Sequence, residues 1–250
     1  MDVTNQAQKI AEARRLVQGA RTVAVLTGAG ISAESGVPTY RGAGGLWSGF
    51  SAEDLASPEG FARRPDKVWQ WHDERRLALK DIQPNPAHFA LAQLQKQLAG
   101  RGGWLTLATQ NIDGLHQAAG SEGVLELHGT ILTIKCTVCP GKRPIGFEPI
   151  EGTPRCPTCG RPMRPDIVWF GEALPTEVWD AADRAAQACE VFLTIGTSAL
   201  VYPAAGLIQI ATGSGAKTIE VNLEPTPASS MVDIALHGQA GEILPQIVQP

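Results

Sequence analysis

The apolar run Thr22–Leu26 opens almost directly into Gly28-Ala-Gly-Ile-Ser-Ala-Glu-Ser-Gly36, and no other stretch limits the fold as tightly. A short run of this kind reads as a buried strand. The Gly28-x-Gly30-x-x-Ala33 behind it matches the loop by which a backbone closes on a pyrophosphate at a helix N-terminus. A tight turn alone needs only the glycines. Here Ser32, Glu34, Ser35 and Arg41 crowd the next turn, so the loop reads as a dinucleotide site with chemistry beside it.

Four further apolar runs have strand length: Trp104–Ala108, Val124–Leu127, Val191–Ile195 and Lys217–Val221. Helical patterns lie between several of them. Ile10, Ala13, Leu16 and Val17 share one face. Asn85-Pro86 caps a stripe of Ala87, Leu91, Leu94 and Leu98, and Val178, Ala181, Ala182 and Ala185 form a third stripe. Strands alternating with helices predict an α/β fold: a Rossmann-like, doubly wound parallel sheet. Each strand runs into a polar motif: Gly28–Ser32, Thr109–Asp113, His128-Gly129, Gly196-Thr-Ser198 and Asn222-Leu-Glu224. Ligands of open α/β sheets bind beyond the carboxyl ends of the strands, so all five motifs are expected to face one crevice.

Two regions break the alternation. Residues 42–84 are rich in Trp, Arg and Asp, without a strand pattern, and predict a helical insertion. Residues 131–165 are rich in Pro, Gly, Cys and basic residues and predict a small separate module. The Rossmann-like domain then comprises 1–41, 85–130 and 166–250. A chain of 250 residues can bury one sizeable core plus such a module. A net charge of −4 gives no reason to expect nucleic-acid binding, and the polar N-terminus has no apolar signal core. Val191–Ala216 is uncharged and long enough to span a bilayer. Gly196-Thr-Ser198 and Pro203 interrupt it, so a strand, a polar loop and a helix opened by Pro203 is the better reading.

Cys136-x2-Cys139 and Cys156-x2-Cys159, with sixteen residues between the pairs, have the spacing of a four-thiolate zinc knuckle. Two disulfides are the alternative, but nothing points to an oxidising compartment. No fifth ligand marks an open coordination position, so the zinc is expected to be structural. Lys135, Lys142, Arg143, Arg155, Arg161 and Arg164 surround the cysteines and are expected to offset the thiolate charge, with a docking patch for an acidic partner as the alternative. Cys189 reads as core.

Of five histidines, His128 stands out: it ends the alternating run Val124-Leu-Glu-Leu-His128 just before Gly129, which places its imidazole at a strand end. His116 falls in a short helix after Asp113, and His88 in the helix capped by Asn85. At this point the chain resembles the sirtuins, NAD-dependent protein-lysine deacylases. The resemblance is carried by Gly28–Gly36, Pro38-Thr-Tyr-Arg41, Thr109-Gln-Asn-Ile-Asp113, Leu127-His-Gly129, the four cysteines, Val168-Trp-Phe-Gly-Glu172, Gly196-Thr-Ser198 and Asn222-Leu-Glu224, and it spans nearly the whole chain.

The resemblance implies NAD as co-substrate and one structural zinc ion. It implies products of free lysine, nicotinamide and O-acyl-ADP-ribose, with His128 as general base. Its cofactor set maps onto Gly28, Ala29, Gly30, Ile31, Ser32, Ala33, Glu34, Tyr40, Arg41 and Trp47, onto Gln110, Asn111, Ile112 and Asp113, and onto Gly196, Thr197, Ser198, Asn222, Leu223, Glu224 and Ala240. Val168, Phe170, Gly171 and Glu172 map onto the segment to which an acyl-lysine peptide adds as a strand.

The chain departs from the sirtuin pattern in three places. Tyr40 replaces a usual Phe, and Asp166 stands where a His is common. In the segment where one class carries Tyr-x-x-Arg for the carboxylate of succinyl- or malonyl-lysine, this chain has His72-x-x-Arg75, with Ala56 matching the small residue that widens that class's pocket. Arg75 is therefore expected to set acyl preference, adding desuccinylase or demalonylase activity to deacetylation, with His72 as a helper that donates a hydrogen bond or acts as a cation near its ordinary pKa; a solvated helix charge is the alternative for Arg75. Cytoplasmic placement, no membrane contact and a monomer are expected. ADP-ribosyl transfer from the same NAD site, or a non-enzymatic NAD-sensing or zinc-mediated interaction module, are the alternative functions.

Overall fold

The computed structural model of the chain describes residues 3–39 and 51–249. Six strands make one parallel sheet: β1 (Thr22–Thr27), β2 (Trp104–Thr109), β3 (Leu125–Glu126), β7 (Val191–Ile195), β8 (Lys217–Asn222) and β9 (Ile234–His237), in the order β3-β2-β1-β7-β8-β9. The order reverses between β1 and β7, which is where an open sheet of this type leaves its crevice. The fold is the doubly wound α/β sheet that the alternation predicts. One strand of this sheet was not predicted: the edge strand β9 has only three consecutive apolar residues, Ile234, Ala235 and Leu236, too few to stand out as an apolar run.

The period-two alternation of β1 divides the core. Val23 and Val25 pack with α1 (Val3–Gly19), α6 (Pro86–Gly100) and α10 (Ala240–Val248), whereas Ala24 and Leu26 face α8 (Thr176–Ala188) and α9 (Leu207–Gly213). Helix α6 starts where Asn85-Pro86 places it. The Asn85 side chain accepts from the Ala87 N–H at 3.0 Å, and Ala87, Leu91, Leu94 and Leu98 are all buried. Between Val191 and Ala216 the chain forms β7, a 3-10 turn after Pro203, and then α9. Among the described residues no helix is long and apolar enough to cross a membrane.

Beyond the sheet, residues 51–84 hold three helices, α3 (Ala52–Leu55), α4 (Pro58–Arg63) and α5 (Pro65–Ala78), and no strand. The cysteine region forms an antiparallel sheet β5-β4-β6 from β4 (Gly129–Cys136), β5 (Lys142–Pro144) and β6 (Met163–Ile167). It shares its core with α5. Trp69 is buried among Ile134, Cys136, Ile145, Cys156 and Met163, while Trp71 packs with Leu55, Phe61, Ile167 and Trp169. Two tryptophans two residues apart thus serve two cores. Arg76, 1% exposed, ties the same helix to the loop after β5 through the carbonyls of Gly146 and Glu148, and it pairs with Asp73.

Candidate active site

A cavity of about 880 Å³ lies at the carboxyl ends of β1, β2, β7, β8 and β9 and runs under α3 and α5. Its sheet side is made by backbone approach. The Gly30 N–H donates to the Gly196 carbonyl at 2.7 Å, and a Cβ on Gly30 would sit 2.7 Å from the Gly196 Cα. The loops after β1 and β7 therefore need glycine to pack on each other, before any ligand is considered. Helix α2 (Gly30–Ala33) behind them is a single turn. Gln110 reaches across to the Thr197 hydroxyl at 2.9 Å, and Asn222 donates to the Thr197 carbonyl at 3.2 Å. Glu34 accepts from the Gly241 N–H at 2.9 Å, which brings Ala240 at the start of α10 to the rim.

Gly28, Ala29, Gly30, Ala33, Glu34, Gln110, Asn111, Ile112, Gly196, Thr197, Ser198, Asn222, Leu223, Glu224 and Ala240 all line the cavity, as do His128, Ala56, His72, Val168, Phe170, Gly171 and Glu172. Ile31, Ser32, Asp113 and Arg75 do not. Ile31 lies in the core under the sheet loop. Tyr40, Arg41 and Trp47 lie outside the described residues.

Ser32 and Asp113 instead belong to a buried polar layer beneath the floor. The Asn85 N–H donates to His88 Nδ1 (3.3 Å), so the His88 proton sits on Nε2, which faces Ser32 Oγ at 3.3 Å. Ser32 then donates to Asp113 Oδ2 at 2.8 Å, and Asn111 donates to Ser32 at 3.1 Å. His116 Nε2 lies 2.9 Å from the Thr27 hydroxyl. Burial pushes His88 down to about 4 and His116, with His88 beside it, down to about 3. Burial raises Asp113 although Leu115 N–H and Ser32 hydrogen bonds oppose it. The layer presents Asn111 to the cavity in one fixed orientation. Its histidines carry no sequence signal that separates them from ordinary helix residues.

Among the described residues, one hydrogen bond holds the His128 ring. Its Nδ1 lies 3.0 Å from the Gln110 carbonyl, and a carbonyl only accepts, so Nδ1 carries the proton and Nε2 keeps its lone pair. Burial lowers its pKa, partly offset by the Gln110 carbonyl. Gly129 follows with φ +74°, and a side chain there would strike the Asp166 carbonyl, so the strand pair β4–β6 closes directly behind the imidazole.

The far wall corrects the expectation for His72. The ring is 3% exposed, stacks at 5.9 Å on Trp169, and hydrogen-bonds the Leu55 carbonyl through Nε2 at 2.9 Å. Nε2 is therefore the protonated nitrogen, and Nδ1 offers only a lone pair, which repels a carboxylate. Burial, with Arg75 and Arg164 adding to it, pushes the pKa down to about 3 against the Leu55 bond. His72 is neither a cation near neutral pH nor a carboxylate donor. Arg75 packs on this wall: its guanidinium covers the Trp71 ring at 3.5 Å and donates to the Trp71 carbonyl at 2.7 Å. Trp71 and Trp169 also line the cavity; Trp169 lies within the Val168–Glu172 motif, whereas nothing local distinguishes Trp71 from other tryptophans.

The four cysteines fit one metal ion. Their sulfurs lie within 4.8 Å of one another, with pairs at 3.4, 3.5 and 3.6 Å and no disulfide. Tetrahedral zinc–thiolate bonds of about 2.3 Å place sulfurs about 3.8 Å apart, close to this spacing. The basic residues around the site do not all serve the thiolates. Lys135 and Lys142 pair with Asp166 at 3.4 and 2.8 Å, which gives that unexpected aspartate its partners, and Arg164 pairs with Glu172 at 2.6 Å. Cys189 is buried in the sheet core and its thiol is pushed up to about 11 by burial.

The Sir2 family model matches residues 28–203. The chain is 48% identical to the NAD-dependent protein deacylase of Thermus thermophilus over 97% of this chain and 95% of that one. The chain belongs to the Sir2 family. Among solved structures, a Sir2 homologue in complex with NAD superimposes with a TM-score of 0.88 at 40% identity, covering 95% of this chain and 92% of that one. Sir2Af2 bound to a myristoylated histone peptide superimposes with a TM-score of 0.75 at 37% identity, covering 97% and 95%. NAD is thus the co-substrate of this Sir2 chain, and the four cysteines are placed to hold one zinc ion.

Proposed function

We propose that this Sir2 chain, an NAD-dependent protein deacylase, uses His128 Nε2 as its general base and accepts chiefly uncharged acyl groups on lysine. NAD supplies the electrophilic ribose carbon and, after nicotinamide departs, the ribose that carries the acyl group away. The protein's part is positional. The loops after β1, β7 and β8 hold the dinucleotide, and Asn111, fixed from below by Ser32 and Gly28, faces the nicotinamide end. His128 takes a proton at Nε2 because Nδ1 is committed to Gln110, and its lowered pKa keeps that nitrogen free at neutral pH.

The acyl assignment rests on His72. A wall of Ala56, Trp71, neutral His72 and Trp169 is apolar and aromatic, which suits acetyl and longer hydrocarbon chains. The myristoyl peptide held by the related Sir2Af2 supports the same reading. Succinyl and malonyl groups are left with Arg75 alone. Residues 42–84 act as the acyl-pocket insertion and 131–165 as the metal module, and cysteines kept out of disulfides suit a reducing compartment.

The peptide adds along Val168–Glu172. There the N–H groups of Val168, Trp169, Phe170 and Glu172 already donate to His128 O, Glu172 Oε2, Ala56 O and Trp169 O, so an incoming strand meets mainly carbonyls. The test is a panel of acetyl-, butyryl-, myristoyl- and succinyl-lysine peptides with NAD. Higher kcat/KM for the uncharged acyl groups than for succinyl is expected, and a succinyl preference overturns the acyl assignment.

A further inference from the structure

We propose that Arg164 is a positioning residue for the acyl-peptide: it shapes the docking segment from beneath and ties that shape to the metal module. The proposal rests on the reading that the peptide adds along Val168–Glu172.

Arg164 lies on β6, opposite Lys135 in the register that also pairs Cys136 with Met163, so its backbone belongs to the cysteine sheet. Its side chain, 5% exposed, leaves that sheet. Nη1 and Nη2 donate to the two Glu172 oxygens at 2.8 and 2.6 Å, and Nη2 also donates to the Ile167 carbonyl at 2.8 Å. The guanidinium lies 3.5 Å from the Trp169 ring centroid. Glu172 returns to the segment by accepting the Trp169 N–H at 2.8 Å. One planar cation thus fixes both ends and the middle of residues 167–172. Gly171, with φ +86°, supplies the turn between them.

A buried cation is costly unless its acceptors are placed for it, and here all three belong to one short segment. Burial alone would raise the Glu172 carboxyl, but Arg164 and the Trp169 N–H hold it below the usual carboxylate range. The clamp also fixes neighbours. Val168 N–H bonds the His128 carbonyl and Phe170 N–H bonds the Ala56 carbonyl, both at 2.9 Å, so the segment is registered against the base and the acyl wall together. Among the described residues, the Arg164 and Glu172 side chains make no hydrogen bond to the loops after β1, β7 and β8. A lysine could not form the bidentate pair while lying flat on the ring.

The experiment compares wild type, Arg164→Met and Glu172→Gln for peptide KM and kcat, ADP-ribose affinity by calorimetry, and zinc content. Arg164→Met is expected to raise peptide KM roughly 10–100-fold, the range for losing charged hydrogen bonds. ADP-ribose affinity should stay within about two-fold, as for sites without shared partners. Zinc content should be unchanged, and kcat should fall by less than KM rises. Glu172→Gln, changed at the more exposed end, shifts KM in the same direction by less, and it decides the matter if Arg164→Met does not fold. Equal losses of peptide and ADP-ribose binding, or an unchanged peptide KM in a folded variant, overturn the proposal. A photo-crosslinking acetyl-lysine peptide separates the two layers. Labelling of residues 168–172 in wild type with no KM change in either variant removes the positioning role alone, whereas labelling elsewhere overturns the docking reading and this proposal with it.

Discussion

The two sides of the cavity are specified in different ways. The proposed cofactor side is made from the carboxyl ends of sheet strands, where each short motif supplies several neighbouring lining residues and glycines let the loops after β1 and β7 touch. The acyl side is made from partners far apart in sequence: His72 on the Leu55 carbonyl, Phe170 on the Ala56 carbonyl, Arg76 on the loop after β5. A motif therefore says much about what the first side binds and little about what the second selects. Exchanging Tyr for His beside Arg75 looks like a modest change of donor, yet the fold turns the ring toward a carbonyl and removes its charge.

Four outcomes break or sharpen that contrast. The largest belongs to the metal that both sides depend on through β4, β6 and α5. Cys156 is the most buried of the four ligands, and Cys156→Ala is expected to lose zinc and soluble, active protein together, because structural zinc contributes about 10–16 kcal/mol of binding free energy to folding. Elemental analysis of purified wild type should give one zinc per chain; a zinc-free, fully active wild type contradicts this. Next is His128→Ala, with a rate loss of about 10²–10⁴-fold, intact zinc and intact ADP-ribose binding. Near-normal turnover in a folded variant would remove His128 from the base role.

Stability against pH comes third. His72, His116 and His88 have folded pKa values of about 3, 3 and 4, below their ordinary 6.5. Below pH 6.5 the unfolded chain takes up protons that the folded chain refuses, so their contribution is complete above 6.5 and is lost as pH falls toward 4. Each histidine gives a slope of up to about 1.4 kcal/mol per pH unit. Denaturant melts between pH 7.5 and 5 should show this decline, and His88→Phe, if folded, should flatten it; equal stability at both ends refutes the buried-neutral assignment. The smallest effect concerns Arg75. Arg75→Met should lower any desuccinylation by about one decade while leaving deacetylation within a few-fold. Equal losses on matched succinyl and acetyl peptides return Arg75 to packing on Trp71.

What could be read in advance follows the same division. The doubly wound sheet was legible because its strands are apolar runs that end in glycine, amide or hydroxyl motifs, and the cysteine pairs because zinc fixes their spacing. The edge strand β9 has too short an apolar run to register, although its following residues Gly238 and Gln239 line the cavity like the other strand ends. The polar layer of His88, Ser32, Asp113, Thr27 and His116 was hidden because its members come from different elements. Sequence proximity to the cysteines makes Arg164 read as a partner of the thiolates, whereas its side chain crosses to Glu172.

The most direct test of the account is the product balance of wild-type protein incubated with NAD and an acetyl-lysine peptide, read by mass spectrometry. Equal amounts of nicotinamide, deacetylated peptide and O-acetyl-ADP-ribose are expected. Consumption of NAD with the acetyl group still on lysine and ADP-ribose attached to protein would contradict this expectation.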